Sequence, residues 1–333
     1  MPELSHQDVL VTLSLLAVSY WLHRRAALER FPSLKIEQLF LYPIKSLPPL
    51  SPPTLEIAPR GFKYDRRFML VSPRKNGTYE NHLAALYPGH ALLRQTIDLT
   101  SLTLTITAPT GSHFSIALDP PTLGRARVQV DMHGSKTLAY DMGDEAARFF
   151  TDVAGKATRL LFLNEGQDGR EVLGSISQGK DSGISFQDCA SYMIASSASL
   201  AAFSRSLGRE MPIVPLRPNI LVGPASESSG LKPWAEDYWA ELKIAGGAVF
   251  RLTSNCVRCI SLNIDYSTGK RLTGSNLPLT VLSKERAVDA GSKSPVFGRY
   301  AFSESIGAKI SVGDIVEVTK LNKQRTTFDW PGI

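Results

Sequence analysis

The sequence predicts an α+β fold that is mainly β and consists of small β-barrels with a few helices. Three observations lead to this prediction. Short apolar runs alternate with polar residues along the chain, Pro- and Gly-containing turns separate these runs, and only three segments have apolar residues at helical spacing. With 333 residues, the chain has room for one large domain or two mid-sized ones.

The first predicted element is a membrane anchor. Residues 9–22 (VLVTLSLLAVSYWL) carry no formal charge, and His23, Arg24 and Arg25 follow directly. Basic residues on the C-terminal side of a short apolar run favour a signal anchor over a cleaved signal peptide and leave the rest of the chain in the cytosol. This pattern is typical of proteins that a signal anchor holds in the outer mitochondrial membrane. The alternative is a helix packed on the globular core.

The first half of the chain is predicted to form short strands followed by one helix. Strands are expected at residues 34–44, 54–57, 67–71, 102–107, 113–118 and 126–130. The alternation ends at residue 144. Residues 144–157 instead place Ala146, Phe149, Phe150 and Val153 on one face, which predicts an amphipathic helix that packs on the core.

The second half is predicted to be rich in β-structure as well. It begins with a Gly- and Ser-rich loop at residues 166–183, whose length favours a mobile segment or a lid over a site. A helix is expected at residues 197–207, where Gly208 ends it, and another at 279–288. The expected strands are residues 192–195, 219–222, 240–244, 249–253, 260–264 and 310–318.

Composition excludes several classes of protein. A hydrophobic fraction of 43% and a charged fraction of 20% are typical of a globular chain and not of a disordered one. Three cysteines are too few for a disulfide scaffold and favour a reducing compartment. The net charge of +6 suits an anionic partner, but basic and aromatic residues do not form one stripe, so we expect no nucleic acid.

The strongest local motif is Cys256-Val257-Arg258-Cys259. A structural zinc site needs four ligands, and neither Cys189 nor any of the six histidines completes one at ligand spacing. A dithiol redox motif is possible, although the flanking residues resemble strands and not the start of a helix. A third reading is one thiolate ligand to a soft metal with Arg258 beside it. The fourth interpretation is that both cysteines simply pack in the core of a barrel.

Basic residues at strand ends form a second pattern. Lys45 and Ser46 follow a proline after a strand, Arg66 and Arg67 open another strand, and Arg217 and Asn219 precede a third. A cation beside a small polar group suits phosphate or another anion, although each of these residues taken singly is more often a solvated charge or part of a structural ion pair. No dinucleotide-binding, P-loop, zinc-protease or serine-hydrolase motif is present in the sequence.

These segments together resemble the MOSC family, and within it the membrane-anchored members that reduce amidoximes. The resemblance covers residues 35–320. The matching segments are YPIKSL (42–47), DRRFMLV (65–71), LRPNILV (216–222), AEDYWAEL (235–242), CVRCISLNIDYSTG (256–269), KSPVFGRY (293–300) and ISVGDIVEV (310–318). The chain departs from the family pattern at residues 78–89, where Asn81 or His82 stands in place of an arginine.

The resemblance implies a domain arrangement and a cofactor. An anchor and linker (1–33) would precede an N-terminal MOSC β-barrel domain (34–160) and a MOSC domain (161–325), with the molybdenum cofactor between the two domains. By position in the motif, Cys259 would be the metal ligand and a catalytic residue. Asp237 is a second catalytic candidate, with a structural ion pair as the equal alternative. The implied cofactor-binding residues are Lys45, Ser46, Arg66, Ser196, Ser199, Arg217, Asn219 and Arg258.

The implied activity is reduction of N-hydroxylated compounds such as amidoximes and hydroxylamines. The implied electron donors are cytochrome b5 and NADH-cytochrome b5 reductase. The alternatives are reduction of nitrite or nitrate at the same site, a carrier or sulfur-handling protein without turnover, and a β protein with degenerate sites. We do not expect sulfurase activity, because a chain of this length has no room for the pyridoxal-phosphate domain of the sulfurases.

Overall fold

The computed structural model describes residues 33–177, 183–244 and 247–331. The anchor predicted at residues 9–22 lies outside these ranges. Within them, no helix is long and apolar enough to cross a membrane.

These ranges contain twenty strands and three α-helices, together with short 3₁₀ helices. In chain order the strands are β1 (Leu34–Leu39), β2 (Thr54–Ala58), β3 (Gly61–Phe62), β4 (Phe68–Pro73), β5 (Tyr79–Asn81), β6 (Arg94–Asp98), β7 (Thr103–Thr107), β8 (His113–Ala117), β9 (Arg127–Met132), β10 (Ser135–Asp141), β11 (Arg159–Phe162), β12 (Tyr192–Ser196), β13 (Ile220–Pro224), β14 (Trp239–Ile244), β15 (Ala248–Val257), β16 (Ile264–Asp265), β17 (Lys270–Arg271), β18 (Val296–Phe302), β19 (Lys309–Ser311) and β20 (Ile315–Leu321). The helices are α1 (Asp144–Ala154), α2 (Ser197–Leu207) and α3 (Pro278–Arg286).

Seven strands close into a barrel in the order β1-β13-β12-β18-β15-β14-β20. The barrel closes where Leu34 of β1 pairs with Val316 of β20. Strands β12 and β13 run parallel, and the other barrel pairs are antiparallel. Inward-facing residues such as Ile36, Leu242 and Phe250 are completely buried, and each contributes about 1.5–3 kcal/mol through burial of its apolar surface.

Strands β4 to β11 form two further sheets, which pack around α1. One has five strands in the order β5-β4-β11-β10-β9, and the other is the meander β6-β7-β8. Phe150 of α1 packs with Leu104 and Leu160 in a shared apolar core. The three strands before β4 belong elsewhere, because β1 lies in the barrel and β2 pairs with β3 and β19.

The predicted α+β, mainly β fold is confirmed by this architecture. The helix predicted at residues 197–207 has these bounds in the structure. The helix predicted at 144–157 ends at Ala154, because Gly155 adopts a left-handed conformation with φ of +64°. The division of the chain at residue 160 stays a prediction.

Other predicted elements differ from the structure. The strand expected at 260–264 is wrong: Ile260–Asn263 is a 3₁₀ helix, and Leu262 N–H donates to Cys259 O at 3.1 Å. The strand expected at 310–318 is two strands, because the chain turns at Gly313 with φ of +93°. The loop expected at 166–183 contains a 3₁₀ helix at Gly174–Ser177, and its residues 178–182 lie outside the described ranges.

Candidate functional site

A cavity of about 270 Å³ lies beside strands β12, β15 and β18 of the barrel. Its other walls are formed by the loops that follow β1 and β5, the loops that precede β4, β12 and β13, the β9–β10 hairpin loop and the turn after β15. We call it the junction cavity. The residues predicted for the site that line it are Lys45, Ser46, Arg66, Arg217, Asn219, Arg258 and Cys259. Residues far apart in sequence therefore converge on one place.

Left-handed backbone conformations are concentrated at this cavity. Seven non-glycine residues of the described ranges have positive φ, and four of them line it: Ser46 (72°), Arg66 (49°), His133 (56°) and Arg217 (54°). Each such residue costs about 1–2 kcal/mol relative to right-handed backbone. Strain of this kind persists where the surrounding structure enforces it, and it clusters at functional sites.

Turns explain three of these conformations. Leu47 N–H bonds to Ile44 O, so Ser46 takes the turn position that requires positive φ. Arg217 ends the 3₁₀ helix Val214–Leu216, and the proline that follows prevents the helix from continuing. His133 is the first residue of the two-residue β9–β10 hairpin loop, whose turn type favours positive φ at both positions.

One wall of the cavity carries a lysine and a carboxylate. Lys45 is 5% exposed, and its Nζ donates to Phe186 O at 3.0 Å and forms an ion pair with Asp188. Burial lowers the pKa of Lys45, and Asp188 opposes this effect. His133 Nε2 lies 3.9 Å from Asp188 Oδ1. The Asp188 side chain is 56% exposed, so this carboxylate faces open space.

Two arginines form the second wall. Arg66 Nη1 donates to Asp65 Oδ2 at 2.5 Å and to Asn219 Oδ1 at 3.1 Å. Arg217 Nη1 donates to Leu47 O at 2.9 Å and to Tyr266 OH at 3.3 Å. Arg217 Nη2 is buried and has no hydrogen-bond partner among the described residues. The wall thus holds a desolvated donor that a ligand could satisfy.

The third wall holds the cysteines of the C-x-x-C motif. Cys256, near the end of β15, is buried, whereas Cys259 is the exposed cysteine of the three in the chain. Arg258 Nη1 donates to Cys256 Sγ at 2.9 Å, and its Nη2 donates to Leu216 O at 2.8 Å. The guanidinium of Arg258 is therefore fixed between two walls, and the thiol of Cys259 is free to bind a ligand.

This set of donors fits an anionic, thiolate-ligated cofactor. Four basic side chains face the cavity against one carboxylate, that of Asp188. Arg258 Nε, like Arg217 Nη2, is buried without a partner in the described part of the chain. Buried cations with unused N–H groups favour a bound anion, since unpaired buried charge is unfavourable. Cys259 offers the one accessible thiol, the ligand type that a soft metal prefers.

Family models match most of the chain. The MOSC N-terminal beta barrel domain matches residues 33–157, and the MOSC domain matches residues 181–317. The chain belongs to the MOSC family. The N-terminal beta barrel domain precedes the MOSC domain, which is the order that the sequence motifs predicted.

Curated relatives share this MOSC region. The chain is 27% identical over 293 residues to mitochondrial amidoxime-reducing component 1 of Mus musculus, with 84% of this chain and 81% of that protein covered. It is 30% identical over 297 residues to mitochondrial amidoxime reducing component 2 of Bos taurus, with 84% and 82% covered. It is also 25% identical over 303 residues to molybdenum cofactor sulfurase of Arabidopsis thaliana, and this match covers 86% of this chain but 36% of that protein.

Three residues predicted for the MOSC site lie elsewhere. Ser196, at the end of β12, and Ser199, in α2, are completely buried, and Ser199 Oγ donates to Glu236 Oε2 at 2.8 Å. Asp237 is 1% exposed and pairs with Arg286 at 2.7 Å and Arg325 at 2.9 Å. None of the three lines the junction cavity. Ser199 and Asp237 are thus bonded within the protein interior, whereas Ser196 Oγ is buried without a hydrogen-bond partner among the described residues.

In the segment that departs from the MOSC pattern, the side chains of Asn81 and His82 do not line the cavity. Asn81 Nδ2 donates to Asp131 O at 2.8 Å, and His82 is buried in a stack with Tyr87, with ring centroids 3.7 Å apart. Main-chain contact remains, because Ser46 Oγ donates to His82 O at 2.7 Å. The neighbouring residues Leu83, Ala84 and Ala85 supply an apolar side of the cavity instead.

Sequence reasoning missed His133 and Asp188 at the cavity. His133 had a usable signal, because a residue followed by Gly134 between two alternating runs predicts a hairpin turn. Asp188 had no local signal, since it reaches the cavity only through long-range packing of its loop. Arg170, 1% exposed, holds that loop by donating to Ser185 O at 2.9 Å and to Gln187 O.

Proposed function

We propose that this chain is a molybdenum-cofactor-dependent reductase of N-hydroxylated compounds. One observation carries the proposal: the exposed thiol of Cys259 lies at a cavity whose basic walls hold buried N–H groups of Arg217 and Arg258 that have no partner among the described residues. A thiolate ligand and an anion site therefore occur together. The relatives named amidoxime reducing components support the reaction, and those named molybdenum cofactor sulfurases support the cofactor.

Different residues of the cavity would bind different parts of the cofactor. Cys259 would supply the protein sulfur to the metal. Arg66 and Arg217, with Asn219 fixing Arg66, would bind the phosphate or pterin, and Lys45 and Ser46 would close the opposite side. When bound, the cofactor supplies two-electron redox chemistry suited to removal of an oxygen atom.

The other cavity groups act on the substrate. The guanidinium of Arg258 would place positive charge where the leaving oxygen gains electrons, and its bond to Leu216 O fixes its orientation. Leu83, Ala84 and Ala85 present an apolar surface that favours exclusion of water and suits the hydrocarbon part of a substrate. In the overall reaction, R–NH–OH takes up two electrons and two protons and yields R–NH₂ and water.

Cytochrome b5, reduced by its NADH-dependent reductase, is the proposed electron donor. A chain with a net charge of +6 attracts an acidic protein, and such attraction weakens as salt screens it. The rate with cytochrome b5 should therefore fall as ionic strength rises from 20 to about 300 mM. A rate that is independent of salt would contradict electrostatic docking of this donor.

We further propose attachment to the outer mitochondrial membrane through residues 9–22, with the rest of the chain in the cytosol. The curated relatives named mitochondrial components support the organelle. In isolated mitochondria the full chain should resist carbonate extraction and should be cleaved by added protease while the outer membrane is intact. Release by carbonate would contradict the anchor, and protection from protease would contradict the orientation.

Turnover of an amidoxime tests the proposed reaction. The full chain is produced in a host that makes the eukaryotic form of the cofactor, and benzamidoxime and nitrite are supplied separately with cytochrome b5, its reductase and NADH. We expect benzamidine to form and nitrite to be reduced more slowly. Faster turnover of nitrite would overturn the proposed substrate class while leaving the cofactor in place.

The relatives named sulfurases favour a second candidate, a cofactor carrier or sulfur-handling protein. Such a protein would bind the cofactor at the same cavity but reduce no substrate with any donor. Assaying the loaded chain with reduced methyl viologen separates the two functions, because this small reductant needs no docking surface. Reduction of benzamidoxime under these conditions supports the reductase, and its complete absence supports the carrier.

A further inference from the structure

Tyr42 lies between the two arginines of the junction cavity. The ring is completely buried, with the guanidinium carbon of Arg66 4.3 Å from its centroid and that of Arg217 4.4 Å from it. Both distances lie within the range of strong cation–π contacts, which are strongest where water is excluded. One aromatic ring therefore contacts two cations that would otherwise repel each other.

Hydrogen bonds fix this ring relative to both arginines. Its hydroxyl donates to the carbonyl of Pro218, next to Arg217, at 2.9 Å. The backbone N–H of Tyr42 donates to Asp65 Oδ1, next to Arg66, at 2.9 Å. Burial raises the pKa of Tyr42 well above its ordinary value, so the hydroxyl stays protonated and can donate. Tyr42 is thus tied to both segments that carry the arginines.

The remaining contacts leave the edge of one guanidinium free. Arg66 uses its N–H groups on Asp65, Asn219 and the carbonyl of Arg217. Arg217 uses Nη1 on Leu47 O, but its buried Nη2 has no partner among the described residues. Because Tyr42 holds the guanidinium face, this unused edge keeps a defined position at the cavity.

We infer that Tyr42 is a positioning residue that holds Arg66 and Arg217 in place for one phosphate-like anion. This inference rests on the proposed function for the identity of the natural ligand, the phosphate of the cofactor. The anion site itself needs only the contacts of the ring and the two guanidinium groups. Loss of the aromatic face should therefore weaken anion binding even though Tyr42 itself does not touch the anion.

The test measures binding of inorganic pyrophosphate by calorimetry to the full chain, produced without cofactor. Tyr42→Phe keeps both ring faces, so its Kd should stay within about threefold of the unmodified chain, whereas Tyr42→Leu should weaken binding about tenfold. Phe40→Leu is the matched control, because Phe40 is equally buried two residues away and contacts neither guanidinium through a cation–π pair. Equal Kd values for Tyr42→Leu and Phe40→Leu would overturn the inference.

Fluorinated phenylalanines at position 42 keep the test decisive if Tyr42→Leu does not fold. Adding one to three fluorine atoms weakens the negative face of the ring with little change in its shape, so the Kd should rise with each fluorine. A Kd that does not change across this series would show that the ring has only a packing role. Pyrophosphate binding needs no molybdenum, so failure of the reductase proposal would leave this result unaffected, and the reverse also holds.

Discussion

At the scale of single residues, the buried carboxylate of Asp237 is expected to stabilise the fold and not to take part in the reaction. It pairs with Arg286 and Arg325, and both Asp237 and Arg286 are buried. Asp237→Ala leaves a buried guanidinium without its partner and should lower the free energy of unfolding by about 3–5 kcal/mol, measured by urea denaturation. Activity per bound molybdenum should be unchanged. If the Asp237→Ala variant lost activity while keeping normal stability, Asp237 would have to be counted among the catalytic residues.

His90 should make the protein less stable in acid. Burial lowers its pKa to about 4, and neither ring nitrogen has a hydrogen-bond partner within the described ranges. The unfolded chain, with a pKa near 6.5, takes up the proton first as pH falls, so stability is lost below about pH 6.5. Between pH 7.5 and 5.5 this effect should amount to about 1.4 kcal/mol.

The variant His90→Phe isolates this contribution. The ring keeps its place beside His82 and Tyr87 but no longer titrates. Urea denaturation at both pH values should therefore show a loss of stability that is smaller by about 1.4 kcal/mol than in the unmodified chain. An equal loss in both proteins would show that His90 takes up its proton as readily in the folded state as in the unfolded chain, and so that burial does not lower its pKa.

Residue identity predicted the chemistry of the site better than its geometry. Lys45, Arg66 and Arg217 were noticed as basic residues at strand ends, but it was the resemblance to the MOSC family that assigned them and Cys259 to a cofactor site. The exposure that separates Cys259 from Cys256 depends on the 3₁₀ turn after β15, which the sequence pattern did not indicate. The left-handed conformations at non-glycine positions have no local sequence signal either, because the surrounding structure enforces them.

At the scale of elements, Gly298 is expected to be essential for the pairing of β18 with β12. It has φ of +73°, and an added Cβ would lie 2.4 Å from Met193 Cε and 2.8 Å from Ile194 O. Gly298→Ala should therefore lower the free energy of unfolding by about 2–4 kcal/mol, through both strain and overlap.

Gly77→Ala is the control for this prediction. Gly77 has φ of +78°, but nothing lies within 4 Å of an added Cβ, so only the backbone strain of about 1 kcal/mol should appear. Both variants can be compared by urea denaturation. Similar losses of stability in the two variants would show that contact with β12 does not constrain β18.

The same strand shows why part of the fold was not predicted. All seven residues of β18 are buried, including Arg299, so the sequence has no alternation of polar and apolar residues. Arg299 is accommodated because Nη1 donates to Asn255 Oδ1 at 3.0 Å and to the carbonyl of Asp237 at 2.8 Å. Helix α2 was predicted well because its apolar spacing and its terminal glycine are both local signals.

At the scale of the whole molecule, closure of the barrel pairs strands from opposite ends of the described residues. Strand β1 pairs with β20 about 280 residues later, and no periodicity in either segment predicts that pairing. The loop that follows β1, with Lys45 and Ser46, and the turn after β15 both line the junction cavity. The junction cavity is thus a consequence of the fold as a whole, which is why only its component residues could be found in the sequence.

The most direct test of the central claim is a count of molybdenum per chain. Mass spectrometry is applied to the full chain from a cofactor-producing host and to its Cys259→Ser and Cys256→Ser variants, and benzamidoxime reduction is measured on the same samples. We predict about one molybdenum per unmodified chain, with activity lost in Cys259→Ser and retained in Cys256→Ser. No molybdenum in the unmodified chain, or full activity in Cys259→Ser, would contradict the account.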